Sequence, residues 1–214
     1  MTYRAYIFDL DGTLLNTLPD LVRLTNMVLA EHGWPERTSD EILSFVGNGG
    51  RKLVGRAAPA GTPDEQLDEA FERWRALYPT YGHSMTKPYE GIPETLDQLK
   101  ADGAKLGVLS NKFDAAARSV IEEHFPGVFH LVRGECEEIP RKPDPTGLRF
   151  MMGQLGVQPA EVLYVGDSGT DVETALRAHV ACAVVTWGYQ SRDVLAAAGA
   201  ETFIDTPADL LALS

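Results

Sequence analysis

Cysteine is scarce in this chain. Cys136 and Cys182 are its only two, too few for a disulfide framework. Cys182 sits in the apolar run 180–185, where a thiol packs as a small hydrophobe. Cys136 lies in the acidic stretch 134–139, with no His or Cys at a metal-ligand spacing. Basic residues are the second shortage. Nineteen Lys and Arg face thirty-one Asp and Glu, a net charge of −12, which repels phosphate backbones and anionic lipid. Nucleic acid and membrane surfaces are therefore not expected as partners. No apolar run approaches membrane-spanning length, and the first residues carry no basic segment leading into an apolar one, so no export signal is expected. The expected location is the cytoplasm. Internal repeats and low-complexity tracts are also missing.

What is present is ordinary for a globular protein: 44% hydrophobic and 23% charged residues. A length of 214 residues suits one full core plus a smaller appended domain. Apolar, β-branched or aromatic runs occur at 5–8, 106–109, 162–165 and 183–187, with a shorter one at 202–204. Runs of this kind suit parallel strands buried on both faces. Helical patterns at 94–101, 115–124 and 146–155 lie between them. The alternation predicts an α/β fold, a doubly wound Rossmann-like parallel sheet.

The region from Leu15 to Tyr89 breaks the alternation and reads as helices alone, over 18–32, 39–46, 50–58 and 63–81. Leu21, Leu24, Thr25, Val28 and Leu29 give the first an apolar face. Asp64, Glu65, Asp68 and Glu69 crowd the first turns of the last, where the helix dipole favours acids. The expected organisation is an α/β catalytic core from 1–14 and 90–214, with an all-helical cap domain inserted at 15–89. Pro88, Gly91 and Pro93 would shape the second joint.

Three strand-like runs end in polar residues: 5–8 in Asp9-Leu10-Asp11-Gly12-Thr13, 106–109 in Ser110-Asn111-Lys112, and 162–165 in Gly166-Asp167-Ser168-Gly169-Thr170-Asp171. Open parallel sheets bind ligands at the carboxyl ends of their strands, so these segments should meet, joined by Lys142 from the turn Arg141-Lys142-Pro143-Asp144-Pro145. Singly, each residue has a plain structural explanation. Asp11 is a good turn residue, Asp167-Ser168 a good helix cap, and Lys142 an ordinary solvated lysine. Their conjunction points to phosphate and metal chemistry.

In that order and spacing, the segments resemble the four motifs of the haloacid dehalogenase-like hydrolase superfamily. Asp9-x-Asp11-Gly12-Thr13 is similar to the first, Ser110 to the second, Lys142 to the third and Gly166-Asp167…Asp171 to the fourth. Thr17-x-Pro19-Asp20, Val46-Gly47-Asn48-Gly49, Leu109-Ser110-Asn111-Lys112 and Thr186-Trp187-Gly188-Tyr189 resemble the phosphoglycolate phosphatase branch. The resemblance implies a phosphatase acting on a small phosphorylated metabolite, 2-phosphoglycolate first. Asp9 would attack phosphorus to give an aspartyl-phosphate, since a carboxylate is already ionised at neutral pH. Asp11 would serve as acid and base. Ser110 and the Asn111 backbone N–H would hold phosphoryl oxygens, with Lys142 balancing charge. Clustered carboxylates need a hard cation, Mg²⁺, with the Asp9 side chain, the Asp11 carbonyl and Asp167 as expected ligands. Asp171 would orient Lys142 or a metal-bound water.

In the cap, Asn48 and Gly49 precede a helix whose exposed N–H groups could hold an anion, and Arg51 could grip a carboxylate. A helix-to-helix turn with a solvent-facing Arg explains the same residues. His179 departs from the family, which has Gly at that helix end; a structural, left-handed cap is expected there. The alternatives are a sugar-phosphate phosphatase, a pyrophosphatase or a mutase like β-phosphoglucomutase. A non-catalytic regulatory protein on the same fold is an alternative from another class, against which the intact acidic set argues. Family members with dehalogenase or phosphonatase activity lack the acid that Asp11 supplies. The oligomeric state is left open.

Overall fold

The structure, a computed structural model, describes residues 3–213; Met1, Thr2 and Ser214, the outer ends of the assigned core, lie outside the described residues. The chain runs through β1 (Ala5–Phe8), β2 (Leu15–Asn16), α1 (Leu18–Glu31), α2 (Ser39–Phe45), α3 (Gly50–Ala57), α4 (Asp64–Tyr81) and β3 (Lys87–Pro88). It then alternates through α5 (Ile92–Ala101), β4 (Lys105–Phe113), α6 (Asp114–His124), β5 (Leu131–Glu135), α7 (Thr146–Leu155) and β6 (Val162–Gly166). Last come α8 (Gly169–Ala178), β7 (Ala181–Val185), α9 (Arg192–Ala197), β8 (Phe203–Ile204) and α10 (Asp209–Ala212). Two compact units result, one of residues 17–87 and one of 1–16 with 88–214. These boundaries lie two residues inside 15–89: Leu15, Asn16, Pro88 and Tyr89 fall with the α/β unit.

In the α/β unit the sheet order is β5-β4-β1-β6-β7-β8, and neighbouring strands pair in parallel. The strands are apolar throughout because both faces are covered. Side chains alternate across a strand, so Tyr6 and Phe8 join Leu106, Val108, Leu96, Leu99 and Val120 on one face. Ala5 and Ile7 join Leu109, Tyr164, Leu148 and Met151 on the other. After β1 the chain adds β4 and β5 on one side, then crosses to add β6, β7 and β8 on the other. That reversal opens a crevice at the carboxyl end of β1.

Three strands differ from their sequence pattern. β4 continues through Ser110, Asn111 and Lys112 to Phe113 instead of stopping at Leu109, and its register against β5 shifts in that stretch. β5 carries no continuous apolar signal, since Arg133, Gly134 and Glu135 interrupt it. As an edge strand it needs no second buried neighbour. β7 sits two residues earlier than the run 183–187 and ends at Val185, although the Thr186 N–H still donates to the Ile204 carbonyl at 3.0 Å. The Trp187 indole N–H donates to the Thr13 carbonyl at 3.1 Å.

The helical unit packs α1 to α4 through the apolar positions read from the sequence, with Leu21, Leu24, Thr25, Val28 and Leu29 buried along α1. Trp74 of α4 is buried and donates to the Thr25 hydroxyl at 3.3 Å. Thr38 caps α2 in a reciprocal box with Glu41. Asp20 is fully buried, and its carboxylate accepts the Met85 N–H at 2.9 and 3.0 Å and the Thr86 hydroxyl at 2.8 Å. One carboxylate thus ties the start of α1 to the returning chain. Among the described residues, no helix is long and apolar enough to cross a membrane.

Candidate active site

The site lies at the carboxyl ends of β1, β4 and β6. The ladder Phe8↔Val108 and Phe8↔Val165 brings Asp9, Ser110 and Asp167 to within one residue of the same level, though they are far apart in sequence. Lys142, from the loop before α7, lies 95% buried at their centre. Its ammonium is 2.9 Å from Asp9 Oδ1 and 2.7 Å from Asp171 Oδ1, and it donates to the Tyr164 hydroxyl at 3.0 Å. It is not a solvated lysine. Its backbone is clamped by the Asn111 side-chain amide, which accepts from Lys142 N at 2.7 Å and donates to Lys142 O at 3.1 Å. The side chain of Asn111 therefore places Lys142, a role its motif did not suggest.

Asp167 is held by two groups. Thr13 Oγ1 donates to Oδ1 at 3.3 Å, and the Tyr189 N–H donates to Oδ2 at 2.7 Å. Gly12 takes φ +82°, a left-handed conformation, and a Cβ there would lie 2.2 Å from Asp167 Oδ2. Glycine is required at that position by conformation and by space alike. Asp171 is the most thoroughly bonded acid of the cluster. Besides Lys142 and Tyr164, it accepts from the Asp167 N–H, the Ser168 N–H and the Ser168 hydroxyl. Ser168 is the N-cap of α8, so the helix cap and the Lys142 anchor are one assembly. At the other end of α8, His179 takes φ 60° and ψ 40°, the left-handed cap expected in place of Gly.

Burial dominates the electrostatics. Asp9 is pushed up to about 7, first by desolvation, then by Asp171 and Asp11 against the opposing pull of Lys142. Asp167 is raised well above the usual carboxylate range by burial, with Asp171 and Asp9 adding repulsion. Burial alone would lower the Lys142 ammonium, but Asp171 and Asp9 outweigh it and hold the lysine well above its usual value. The site carries more negative charge than its lysine balances. Carboxylate oxygens of Asp9, Asp167 and Asp171 lie within 4.8 Å of one another. An excess of buried oxygen donors at that spacing fits a hard divalent cation such as Mg²⁺. Asp171 is already saturated by its five donors, which leaves Asp9 and Asp167 as the side chains suited to it.

Asp11 turns to the β4 side. Lys112 Nζ lies 2.8 and 2.9 Å from its two carboxylate oxygens, and both side chains are largely buried. Ser110 is buried, with its Oγ accepting the Lys112 N–H at 3.2 Å. Sequence reading missed the site contacts of Lys112, Tyr164, Thr13 and Tyr189. The signal for Lys112 was available: a lysine directly after Ser110-Asn111 at a strand end, in a chain short of cations.

Asn48, Gly49 and Arg51 belong to the helical unit. There Arg51 Nε is 2.7 Å from Asp68 Oδ1 and its NH2 3.8 Å from Asp64, while Arg56 donates to Asn48 Oδ1 at 2.7 Å. Gly49 is the N-cap of α3 at φ 81°. The three are tied within their own unit. Cys136 and Cys182 are partly buried free thiols, and burial pushes Cys182 up to about 12.

A family model described as haloacid dehalogenase-like hydrolase matches residues 6–185. Phosphoglycolate phosphatase 1 of Pseudomonas aeruginosa is 34% identical over 214 residues, covering 97% of this chain and 78% of its own length. N-acetylmuramic acid 6-phosphate phosphatase of the same organism is 30% identical over 213 residues, covering 99% of this chain and 94% of its own. A solved structure from Lactobacillus delbrueckii subsp. bulgaricus, assigned as a phosphoglycolate phosphatase, superposes with a TM-score of 0.91 at 31% identity. It covers 98% of this chain and 97% of that one.

Proposed function

From its membership of the haloacid dehalogenase-like hydrolases, to which this chain belongs, we propose that it hydrolyses a small phosphate monoester, 2-phosphoglycolate first, through a phosphorylated Asp9. The chain is a phosphoric monoester hydrolase. The observation that carries the finer assignment is the buried ammonium of Lys142 between Asp9 and Asp171 at the sheet's switch point.

In the first step an Asp9 oxygen bonds to phosphorus as the bond from phosphorus to the leaving oxygen breaks. The Asp11 carboxyl gives its proton to that oxygen, releasing an alcohol. In the second step water attacks phosphorus and Asp11 takes a proton from it. The Asp9–phosphorus bond breaks, releasing inorganic phosphate and restoring both carboxyl groups. Lys142, Ser110 and the Asn111 N–H stabilise the charge that develops on the phosphoryl oxygens, and loss of one such group typically costs a hundredfold or more in rate. Mg²⁺ held by the Asp9 side chain, the Asp11 carbonyl and Asp167 would supply the positive charge that the acids and the substrate lack.

For the substrate's own carboxylate, the residues assigned are Arg51 with the Asn48–Gly49 turn. Solvent-facing ion pairs such as Arg51–Asp68 are weak, so an anion can compete for the guanidinium. The relative named for N-acetylmuramic acid 6-phosphate favours a sugar phosphate as the second candidate. Steady-state kcat/KM over a panel of phosphorylated metabolites separates the two. Asp9→Asn should abolish turnover and acid-stable incorporation of phosphate from labelled substrate. Turnover retained by that variant would remove Asp9 as nucleophile, and an unchanged kcat/KM for 2-phosphoglycolate in Arg51→Ala would remove Arg51.

A further inference from the structure

We propose that Lys112 is a positioning residue for the acid/base step, holding the Asp11 carboxyl in place through a buried two-oxygen contact. The proposal rests on the assignment of Asp11 as acid and base. Lys112 reaches Asp11 across 101 positions of sequence, with Nζ 2.8 and 2.9 Å from Oδ1 and Oδ2. The lysine side chain is 5% exposed and the Asp11 side chain 17%.

Stability is a poor explanation for that pair. Replacing a buried ion pair by apolar residues is often neutral or stabilising, because desolvation cancels the attraction. What the pair supplies is direction. Asp11 stands two residues from Asp9, whose negative charge repels it, and an unrestrained carboxyl so placed turns away. Lys112 fixes it on the β4 side. The stretch of β4 that carries Lys112 is also the stretch whose register against β5 shifts, and such irregularities re-aim side chains. Through its backbone the same residue acts on Ser110. The Lys112 N–H occupies the Ser110 oxygen, which leaves the Ser110 O–H to donate to a phosphoryl oxygen.

No proton leaves Lys112 in this scheme. The proton that reaches the leaving oxygen is Asp11's; to deliver it, one of the two oxygens that contact Lys112 turns to the ester while the other stays on the lysine. The consequence is a dependence on the leaving group. An alkoxide needs the proton to leave, whereas 4-nitrophenolate hardly does, and kcat/KM reports the step in which the leaving group departs.

The experiment compares 2-phosphoglycolate, or whichever alkyl phosphate the wild type turns over best, with 4-nitrophenyl phosphate. Lys112→Met should lose roughly 10–100-fold in kcat/KM on the alkyl ester, below the full worth of a general acid, and at least about tenfold less on the aryl ester. Lys112→Arg should recover part of the loss. Equal losses on both esters, or no loss, would overturn the proposal. If Lys112→Met does not fold, Asp11→Asn is compared with Asp11→Asn/Lys112→Gln. Equal kcat/KM on the alkyl ester is expected, and a further tenfold loss would mean that Lys112 acts elsewhere. Should Asp11→Asn itself slow both esters equally, it is the acid/base role of Asp11 that fails. If Asp11→Asn discriminates between the esters while Lys112→Met does not, the Lys112 proposal fails alone.

Discussion

Asp9→Asn should make the metal-free protein more stable as the pH rises, while removing its activity. In the fold, Asp9 titrates at about 7 against a reference of 3.8, a gap of about three units, each worth about 1.4 kcal/mol. At about pH 2, below both values, folded and unfolded chains alike keep this proton, and the group contributes little. As the pH climbs past the unfolded value, the unfolded chain gives the proton up first, so folding is progressively disfavoured until about 7. Above that the penalty levels at roughly 4 kcal/mol. Asparagine carries no such penalty. It forfeits the contact with Lys142, which keeps Asp171 and Tyr164, so a net gain of about 2–4 kcal/mol at pH 8 is expected. At about 2–4 °C per kcal/mol for a chain of this size, that gain raises Tm by roughly 5–15 °C. The assay is urea and thermal unfolding of both proteins from pH 4 to 9 with a chelator present. A stability difference that does not grow with pH, or a wild type more stable at pH 8, would refute the account. Adding Mg²⁺ at pH 8 should stabilise the wild type more than Asp9→Asn, since the ion binds only the folded state.

Lys142→Met leaves Asp9 and Asp171 without their shared cation; it should destabilise the protein by about 3–5 kcal/mol at pH 8 and abolish phosphoenzyme, as read by unfolding and phosphate labelling. Gly188→Ala would put a Cβ 2.3 Å from Asp167 Cβ and 2.7 Å from the Gly12 carbonyl; displacing Asp167 should weaken Mg²⁺ about tenfold or more by calorimetry. Asp20→Ala strips the Met85 N–H and the Thr86 hydroxyl of their acceptor; a loss of about 2–4 kcal/mol, with faster amide exchange at Met85, is the expected result.

Composition, run length and the order of the polar strand ends carried the architecture and the candidate residues. A parallel strand buried on both faces must be apolar, so β1 and β6 were legible with no partner in view. Helix faces repeat locally, which is why α7 and the buried positions of α1 were readable as well. β5 was hidden because an edge strand is not compelled to be apolar, and its Arg133-Gly134-Glu135 segment carries no periodicity. Asp9, Asp11, Ser110, Lys142 and Asp167 could be named as candidates because catalytic side chains need particular functional groups at the ends of strands. Their partners could not. Whether Lys142 is solvated or buried, whether Lys112 meets Asp11, and whether the Tyr189 N–H meets Asp167 depend on contacts across tens to more than a hundred residues. Linear spacing does not encode such contacts; the sheet register and the turn after β7 decide them. The charges of the site belong to the sequence, but the burial that shifts Asp9 and Asp167 so far from their usual range belongs to the fold. Desolvation exists only once the strands have come together.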